Sequence, residues 1–341
     1  MNILHICAGW QPWNGAANIA RMIMDEQRRE GHEVSSATWA KVRELRAADE
    51  VWIHCGWLPC LWWAALCGRN VHWMPESCYD PVRLGFHGWK KWLVGPIERF
   101  LLRRCAKIVA TCEAEAEWIR AYEPRVKSIE VTDIKRFFNL NPVNPVNPVK
   151  KDLHLLYLGR RHPLKGLSYL ETALATYYNM WSSAPSSLAP TTACADNPSS
   201  NPSRKAATYY NKCPIEFRVV SDAFGDELER VWDWCDVLVL PTLSENFGLV
   251  IAEALERGKC VITTDGAPAW ECECKVEKCK VGSAGAIWQG YDGRLIYLKG
   301  YCNGTPEDRI RLLQSAIENL LCPASLTPPA SHASLTSPAV K

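Results

Sequence analysis

The sequence predicts an α/β protein built from two doubly wound, Rossmann-like units that face each other across a cleft. Three observations predict it. Short apolar runs alternate with segments of helical period through the first 140 residues, and the same alternation resumes at residue 152. Between the two series lies NPVNPVNPVKK, with a proline at every third position. At 341 residues the chain is long for one core and sufficient for two. Strands alternating with helices imply parallel sheets covered on both faces, and two such sheets leave a cleft at their strand C-termini.

The first unit opens with the strand NILHIC, residues 2–7, then a loop AGWQPWNGAAN and the helix-period segment IARMIMDEQRREGHEV. EVWIHCGW, NVHWMPES, KIVATCEAEAEWIRAY and KSIEVTD each begin with a further strand-like run, and the unit ends near IKRFFNL. Proline disfavours helix at itself and at the residue before it, so 141–151 reads as an extended linker. The second unit, 152–304, begins with DLHLLYLG and continues through EFRVVS, DVLVLPT and CVITTD. Residues 179–213 interrupt it with Ser, Pro, Ala and Asn and no periodicity, the composition of a flexible insertion. A helix at 305–321 follows, with Thr305 as N-cap and Pro306 in its first turn, and a low-complexity tail occupies 322–341.

Composition excludes several classes. Hydrophobic residues make up 48% and charged residues 22%, values of a globular chain. A net charge of +2 gives no general attraction to nucleic acid. No apolar run approaches the ~20 residues that span a bilayer, and MNILHICAGW lacks the pattern of an export signal, so a cytoplasmic protein is expected. The 16 cysteines fall mostly within strand-like or helix-like runs and read as buried thiols. CECKVEKC, with Cys272, Cys274 and Cys279, has spacing that suits zinc but no fourth ligand; the alternative is a surface loop.

Chemistry concentrates in SENFGLVIAEALERGKCVITTDG. The strand DVLVLPT should end near Thr242 and a helix should begin between Ser244 and Phe247, with Glu253 about two turns inside it. A helix N-terminus attracts phosphate, and Gly248 lets a ligand approach the backbone. Glu245 and Glu253, one at each end, are acceptors for paired hydroxyls. A nucleoside diphosphate sugar has that shape. The alternative is that Glu245 caps the helix and Glu253 is a solvated charge. At the end of the strand LHLLYLG, the loop GRRHPLKG offers Arg160 and Lys165, two cations that can bracket a diphosphate, or else form an exposed basic turn.

GRRHPLKG followed by LVLPTLSENFGLVIAEALERGKCVITTDG resembles the retaining glycosyltransferases of family 4, which have the GT-B fold; NGAAN, GHEV and KIVATCEAEAEW resemble their N-terminal half. The resemblance spans residues 1–320 or so, and the Glu-x7-Glu block is its most specific part. It implies that Arg160 and Lys165 hold the donor diphosphate and that Glu245 contacts the donor sugar. It further implies that the amides of Asn246, Phe247, Gly248 and Leu249 meet sugar and phosphate, and that Glu253 binds ribose. Retention of anomeric configuration and a donor site without a divalent metal or other cofactor are also implied. Cys112 stands where the family commonly has serine.

The first unit should supply the acceptor wall, with Gly15, Ala16, His54 and Glu76 at strand ends as candidates. HGWKKWLVGPIERFLLRRC mixes Trp89, Trp92, Leu93, Phe100 and Leu101 with Lys90, Lys91, Arg99, Arg103 and Arg104. It reads either as a surface that rests on an anionic membrane carrying a glycolipid acceptor, or as a packing helix with a basic face. A sugar-nucleotide epimerase and a noncatalytic nucleotide-sugar-binding protein are the competing functions. By family analogy the acceptor is a lipopolysaccharide or other cell-surface glycan.

Overall fold

A computed structural model describes residues 1–321 except Trp13, Trp57, His87, 141–152, 183–214 and Asp222. The expected linker, most of the insertion and the tail lie outside the described residues.

In the first unit β1 (Asn2–Cys7), β2 (Glu33–Ala37), β3 (Glu50–His54), β4 (Val71–Met74), β5 (Lys107–Ala110) and β6 (Ile129–Val131) form one sheet. Its order is β2-β1-β3-β4-β5-β6 and every pairing is parallel. Helices α1 (Gly15–Arg29), α2 (Val42–Ala47), α3 (Pro59–Cys67), α4 (Pro81–Phe86), α5 (Gly88–Arg104) and α6 (Glu113–Tyr122) connect the strands. Central strands are covered on both faces, which is why β1 and β4 read as nearly continuous apolar runs. Asn14 starts α1 by accepting a hydrogen bond from Ala16 N at 3.2 Å.

The second sheet contains β7 (Leu153–Leu158), β8 (Ile215–Val220), β9 (Val237–Val239), β10 (Cys260–Thr264), β11 (Val276–Lys280), β12 (Ala286–Gly290) and β13 (Leu295–Lys299) in the order β11-β12-β13-β10-β9-β7-β8. Strands from β13 to β8 are parallel, whereas β11 and β12 run antiparallel at the edge. The helices are α7 (Leu167–Ser182), α8 (Asp226–Trp234), α9 (Leu249–Glu256) and α10 (Pro306–Leu321). Helix α7 continues to Ser182, so residues 179–182, expected in the insertion, are helical. Cys272–Cys279 is no simple loop either: it runs from a short 3-10 segment into the edge strand β11. Thr305 and Asp308 cap α10 reciprocally, with Asp308 N donating to Thr305 Oγ1 at 3.2 Å and Thr305 N donating to Asp308 Oδ2 at 3.1 Å.

Residues 133–140 leave the first sheet and seat on the second unit. Asn139 N donates to Glu256 Oε1 at 3.1 Å, Lys135 pairs with Glu273, and Arg294 donates to the carbonyl of Leu140 at 3.0 Å. In each sheet the chain leaves one strand in opposite directions: β1 has β2 and β3 as neighbours, and β7 has β8 and β9. Crevices form at such switch points, beyond the strand C-termini. Gly166 sits at the second one with φ +66°, where an added Cβ would lie 1.9 Å from the carbonyl oxygen of Pro241. Gly166→Ala should therefore lower unfolding stability by about 2 kcal/mol or more, measured by denaturant titration. Unchanged stability would show that the two loops separate freely.

Candidate active site

Two loops flank the switch point of the second sheet. The loop after β7 carries Arg160 and Lys165. Arg160 is exposed, its carbonyl accepts from Tyr157 Oη at 2.9 Å, and its guanidinium meets no partner among the described residues. Arg161 turns outward to Glu171 at 3.4 Å. His162 Nδ1 accepts from Leu164 N at 3.2 Å, and the single 3-10 turn Pro163–Lys165 that follows brings the Lys165 ammonium onto the Glu245 carboxylate.

The loop after β9 is tied to this turn. Leu243 N and Thr242 Oγ1 donate to the carbonyl of Leu164 at 2.8 and 3.1 Å, and Glu245 N donates to Gly266 O at 2.7 Å. Helix α9 begins later than the sequence predicts, at Leu249, because Gly248 takes φ +72° and holds the preceding residues off the helical path. Glu245 therefore precedes the helix, and Glu253 lies just over one turn inside it, not two. Burial disfavours the charged form of Glu245. Lys165, with Arg83 and the Asn246 amide, outweighs that and holds the carboxyl below the usual carboxylate range. For Glu253 burial prevails over nearby Arg257 and raises the pKa; its carboxylate meets no partner among the described residues.

Phe247 is a core residue. It is 1% exposed, its ring lies 5.2 Å from that of Trp270, and its carbonyl accepts from Trp270 Nε1 at 2.6 Å. Only its backbone amide is left to serve a ligand. An added Cβ on Gly15 would lie 3.9 Å from Leu249 Cδ1, so the N-termini of α1 and α9 face one another across the cleft. Each helix turns the partial positive charge of its first turn toward the other. Ala16 contributes less than expected, since its amide is engaged by Asn14.

The first unit meets this loop through residues that sequence reasoning missed. Asp80 caps α4 by accepting from Val82 N at 2.9 Å and also accepts from Ser244 Oγ; Arg83 Nε donates to the same hydroxyl at 3.0 Å. The dipeptide Asp80-Pro81 is a helix-start signal that was available in the sequence. The Asn246 side-chain amide lies 2.7 Å from Thr111 Oγ1 and 3.1 Å from Ser77 Oγ. Thr111 has one hydroxyl proton, and Glu115 Oε2 takes it at 2.8 Å. The Asn246 amide must then turn its nitrogen toward Thr111 and Ser77 and donate. Glu115, wholly buried, also accepts from the amides of Ser77 and Thr111 at 2.6 and 2.8 Å. No short motif in CEAEAEW marks that role.

His54 does not line the cleft. It is fully enclosed beneath the wall, with Nε2 3.0 Å from His5 Nδ1, because the last residue of β3 points into the layer between sheet and α1. Glu76, 8% exposed, lies above it. Among the described residues no group of three or more His, Cys, Asp or Glu side chains is arranged to hold a metal ion.

Comparisons with known proteins bear on the fold and the enzyme class. Residues 152–278 match the family model described as glycosyl transferases group 1, and residues 36–132 match the glycosyl transferase 4-like domain. A sequence comparison with curated proteins gave no match. Among solved structures, Anabaena HepE in complex with UDP is similar with TM-score 0.54 and 14% identity, over 96% of this chain and 92% of that one. Sucrose-phosphate synthase from Thermosynechococcus elongatus gives 0.53 and 12%, over 95% of each chain. WaaG, a glycosyltransferase involved in lipopolysaccharide biosynthesis, gives 0.52 and 11%, over 95% of this chain and 93% of that one. The architecture is the two-domain GT-B fold. The chain is a glycosyltransferase.

Proposed function

We propose that the protein moves a sugar, with retention of anomeric configuration, from a nucleoside diphosphate sugar to a hydroxyl of a glycan or glycolipid, as the family-4 resemblance implies. One observation carries the reading. At the β7/β9 switch point a half-buried carboxylate, Glu245, holds Lys165 just ahead of the start of α9, which faces the start of α1. Lys165 and exposed Arg160 bind the diphosphate, and Lys165 exchanges the carboxylate for phosphate oxygens as the donor enters. Released from that pairing, Glu245 accepts from the donor sugar hydroxyls, the amides of Asn246 to Leu249 meet sugar and phosphate, and Glu253 accepts from the ribose diol. HepE, of the same fold, has been crystallised with UDP and with UDP-glucose, ligands of this class.

As the glycosidic bond breaks, charge gathers on the leaving diphosphate, and Arg160, Lys165 and the start of α9 face that charge. The reading places the acceptor among lipopolysaccharide or other cell-surface glycans and the protein at the cytoplasmic face of a membrane. Trp89, Trp92 and Leu93 of α5 are 71%, 81% and 64% exposed, and Arg99, Arg103 and Arg104 follow on the same helix. Such a face suits an anionic lipid surface. No helix among the described residues is long and apolar enough to cross a membrane.

Glu245→Ala should abolish transfer and leave the fold intact, and Lys165→Ala should cost about 2–4 kcal/mol of transition-state stabilisation. Near-normal turnover in either variant, with thermal unfolding unchanged, would remove the assignment. Transfer should persist in excess EDTA, because side chains and amides supply the positive charge; a requirement restored by Mg²⁺ or Mn²⁺ would contradict this. In a sedimentation assay the protein should bind vesicles containing anionic lipid and release them at high salt, and Trp89→Ser/Trp92→Ser should bind at least about tenfold less. Equal binding by this double variant would place the contact elsewhere.

A further inference from the structure

Beneath the N-terminal wall lies a buried chain of titratable groups that the donor chemistry does not use. His5 Nε2 is 2.8 Å from Gln27 Oε1, and His5 Nδ1 is 3.0 Å from His54 Nε2. Both imidazoles are fully buried. Among the described residues His54 Nδ1 and Glu76 Oε1 are buried without a hydrogen-bond partner, and they face each other at 3.7 Å. The backbone here is strained: Cys55, Glu76 and Ser77 adopt φ of 69°, 54° and 62°. Such conformations persist where the surroundings over-determine them.

Direction follows from counting protons. Gln27 Oε1 only accepts, so His5 carries its proton on Nε2 and presents a bare Nδ1. His54 must donate from Nε2, which leaves its own Nδ1 bare. An ionised Glu76 would then oppose lone pair to lone pair; a protonated one turns the positive end of its O–H toward the bare nitrogen, although 3.7 Å is longer than a formed hydrogen bond. Running the chain the other way would leave an anion at Glu76, enclosed beside Glu115. Burial supports the first arrangement: it lowers His5 to about 4 and His54 well below the usual histidine range, and it raises Glu76 well above the usual carboxylate range. Around Glu76, Cys55 and Glu115 also oppose ionisation, Arg83 favours it, and Cys7 is a further neighbour. Around His5 the charged and titratable neighbours are Arg28 and His72.

We propose that Glu76 works as an un-ionised carboxylic acid, its proton held in place by the positioning residues His54, His5 and Gln27, so that the wall offers an incoming hydroxyl a neutral hydrogen-bonding group. The proposal rests on reading this wall as the acceptor side. Losing the proton would require both imidazoles to change tautomer and the Gln27 amide to turn over. The un-ionised form is the one that exists below the folded-state pKa of Glu76 and is lost as pH rises through it.

The test is ¹⁵N spectroscopy of the full chain labelled at histidine. At neutral pH, His5 and His54 should each show a protonated Nε2 and a bare Nδ1, identified by the scalar coupling across their shared N–H···N bond, which needs no variant. On raising the pH both rings should switch together, in step with loss of a protonated-carboxyl infrared band that Glu76→Gln lacks throughout. Gln27→Leu, which removes the terminal acceptor, should move that transition down by about one pH unit or more. A protonated Nδ1 on His54 at neutral pH, rings that titrate separately, a carboxyl band that still changes in step with the rings in Glu76→Gln, or an unmoved transition in Gln27→Leu would each overturn the proposal. These signals are read without turnover. Donor hydrolysis by the unaltered protein, measured beside them, tests the glycosyl-transfer reading alone.

Discussion

A carboxylate largely withdrawn from water is held in its charged form by a cation in contact, and most of the cleft is organised around that requirement at half-buried Glu245. An unpaired buried ion costs several kcal/mol, so the pairing with Lys165 constrains the backbone on both sides of it. Lys165 reaches Glu245 only because the turn Pro163–Lys165 folds back at Gly166. Leu243 and Thr242 bind that turn at Leu164, and Glu245 is itself held by the carbonyl of Gly266. The same contacts set where α9 begins, and with it the direction in which its amides point. Geometry for ligand and geometry for fold are here one set of hydrogen bonds.

The opposing wall depends on the same loop. Arg83 and Asp80 grip Ser244, while Ser77 and Thr111 grip Asn246. Both residues flank Glu245, so an approach of the two units is registered within one residue of the charge pair. Arg83 also acts on Glu245, Glu76, Asp80 and Glu115, which gives a cluster of acids one shared counter-charge. Moving the first unit away would withdraw that charge from Glu245 alone, since Glu76, Asp80 and Glu115 travel with Arg83.

Much of this was legible in the sequence, for identifiable reasons. The strands β1, β3, β7 and β10 are buried on both faces and show as apolar runs, and the residues just after β7 and β9 follow from the position of those runs. The pair Arg160 and Lys165, and the pair Glu245 and Glu253, could therefore be placed at one end of one sheet. The start of α9 was misjudged because Ser244 and Glu245 look like a helix entry, whereas the left-handed Gly248 delays it. His54 looked like a cleft residue because strand ends carry function; its actual direction depends on His5 and Gln27, which no local pattern connects to it. Arg83, Thr111 and Glu115 belong to long-range hydrogen bonds between the units or across one wall, and spacing along the chain carries no trace of them. The antiparallel strand β11 is hidden because its lysines and cysteine mask a period of two.

Those outer strands have a consequence for the molecule in a crowded solution. A parallel sheet presents unpaired backbone groups along its last strand, and another chain can pair with them. On one side the sheet of the second unit finishes in VEKCK, where Glu277, Lys278 and Lys280 stand along a short strand and the register slips between Glu277 and Cys279. On the other side β8 carries Glu216 and Arg218, paired with each other at 2.9 Å. A neighbour laid against either margin would have to bury charges and match an irregular ladder. The sheet is thus terminated at both ends, and fibre-like stacking of one copy on the next is disfavoured from the moment this unit folds.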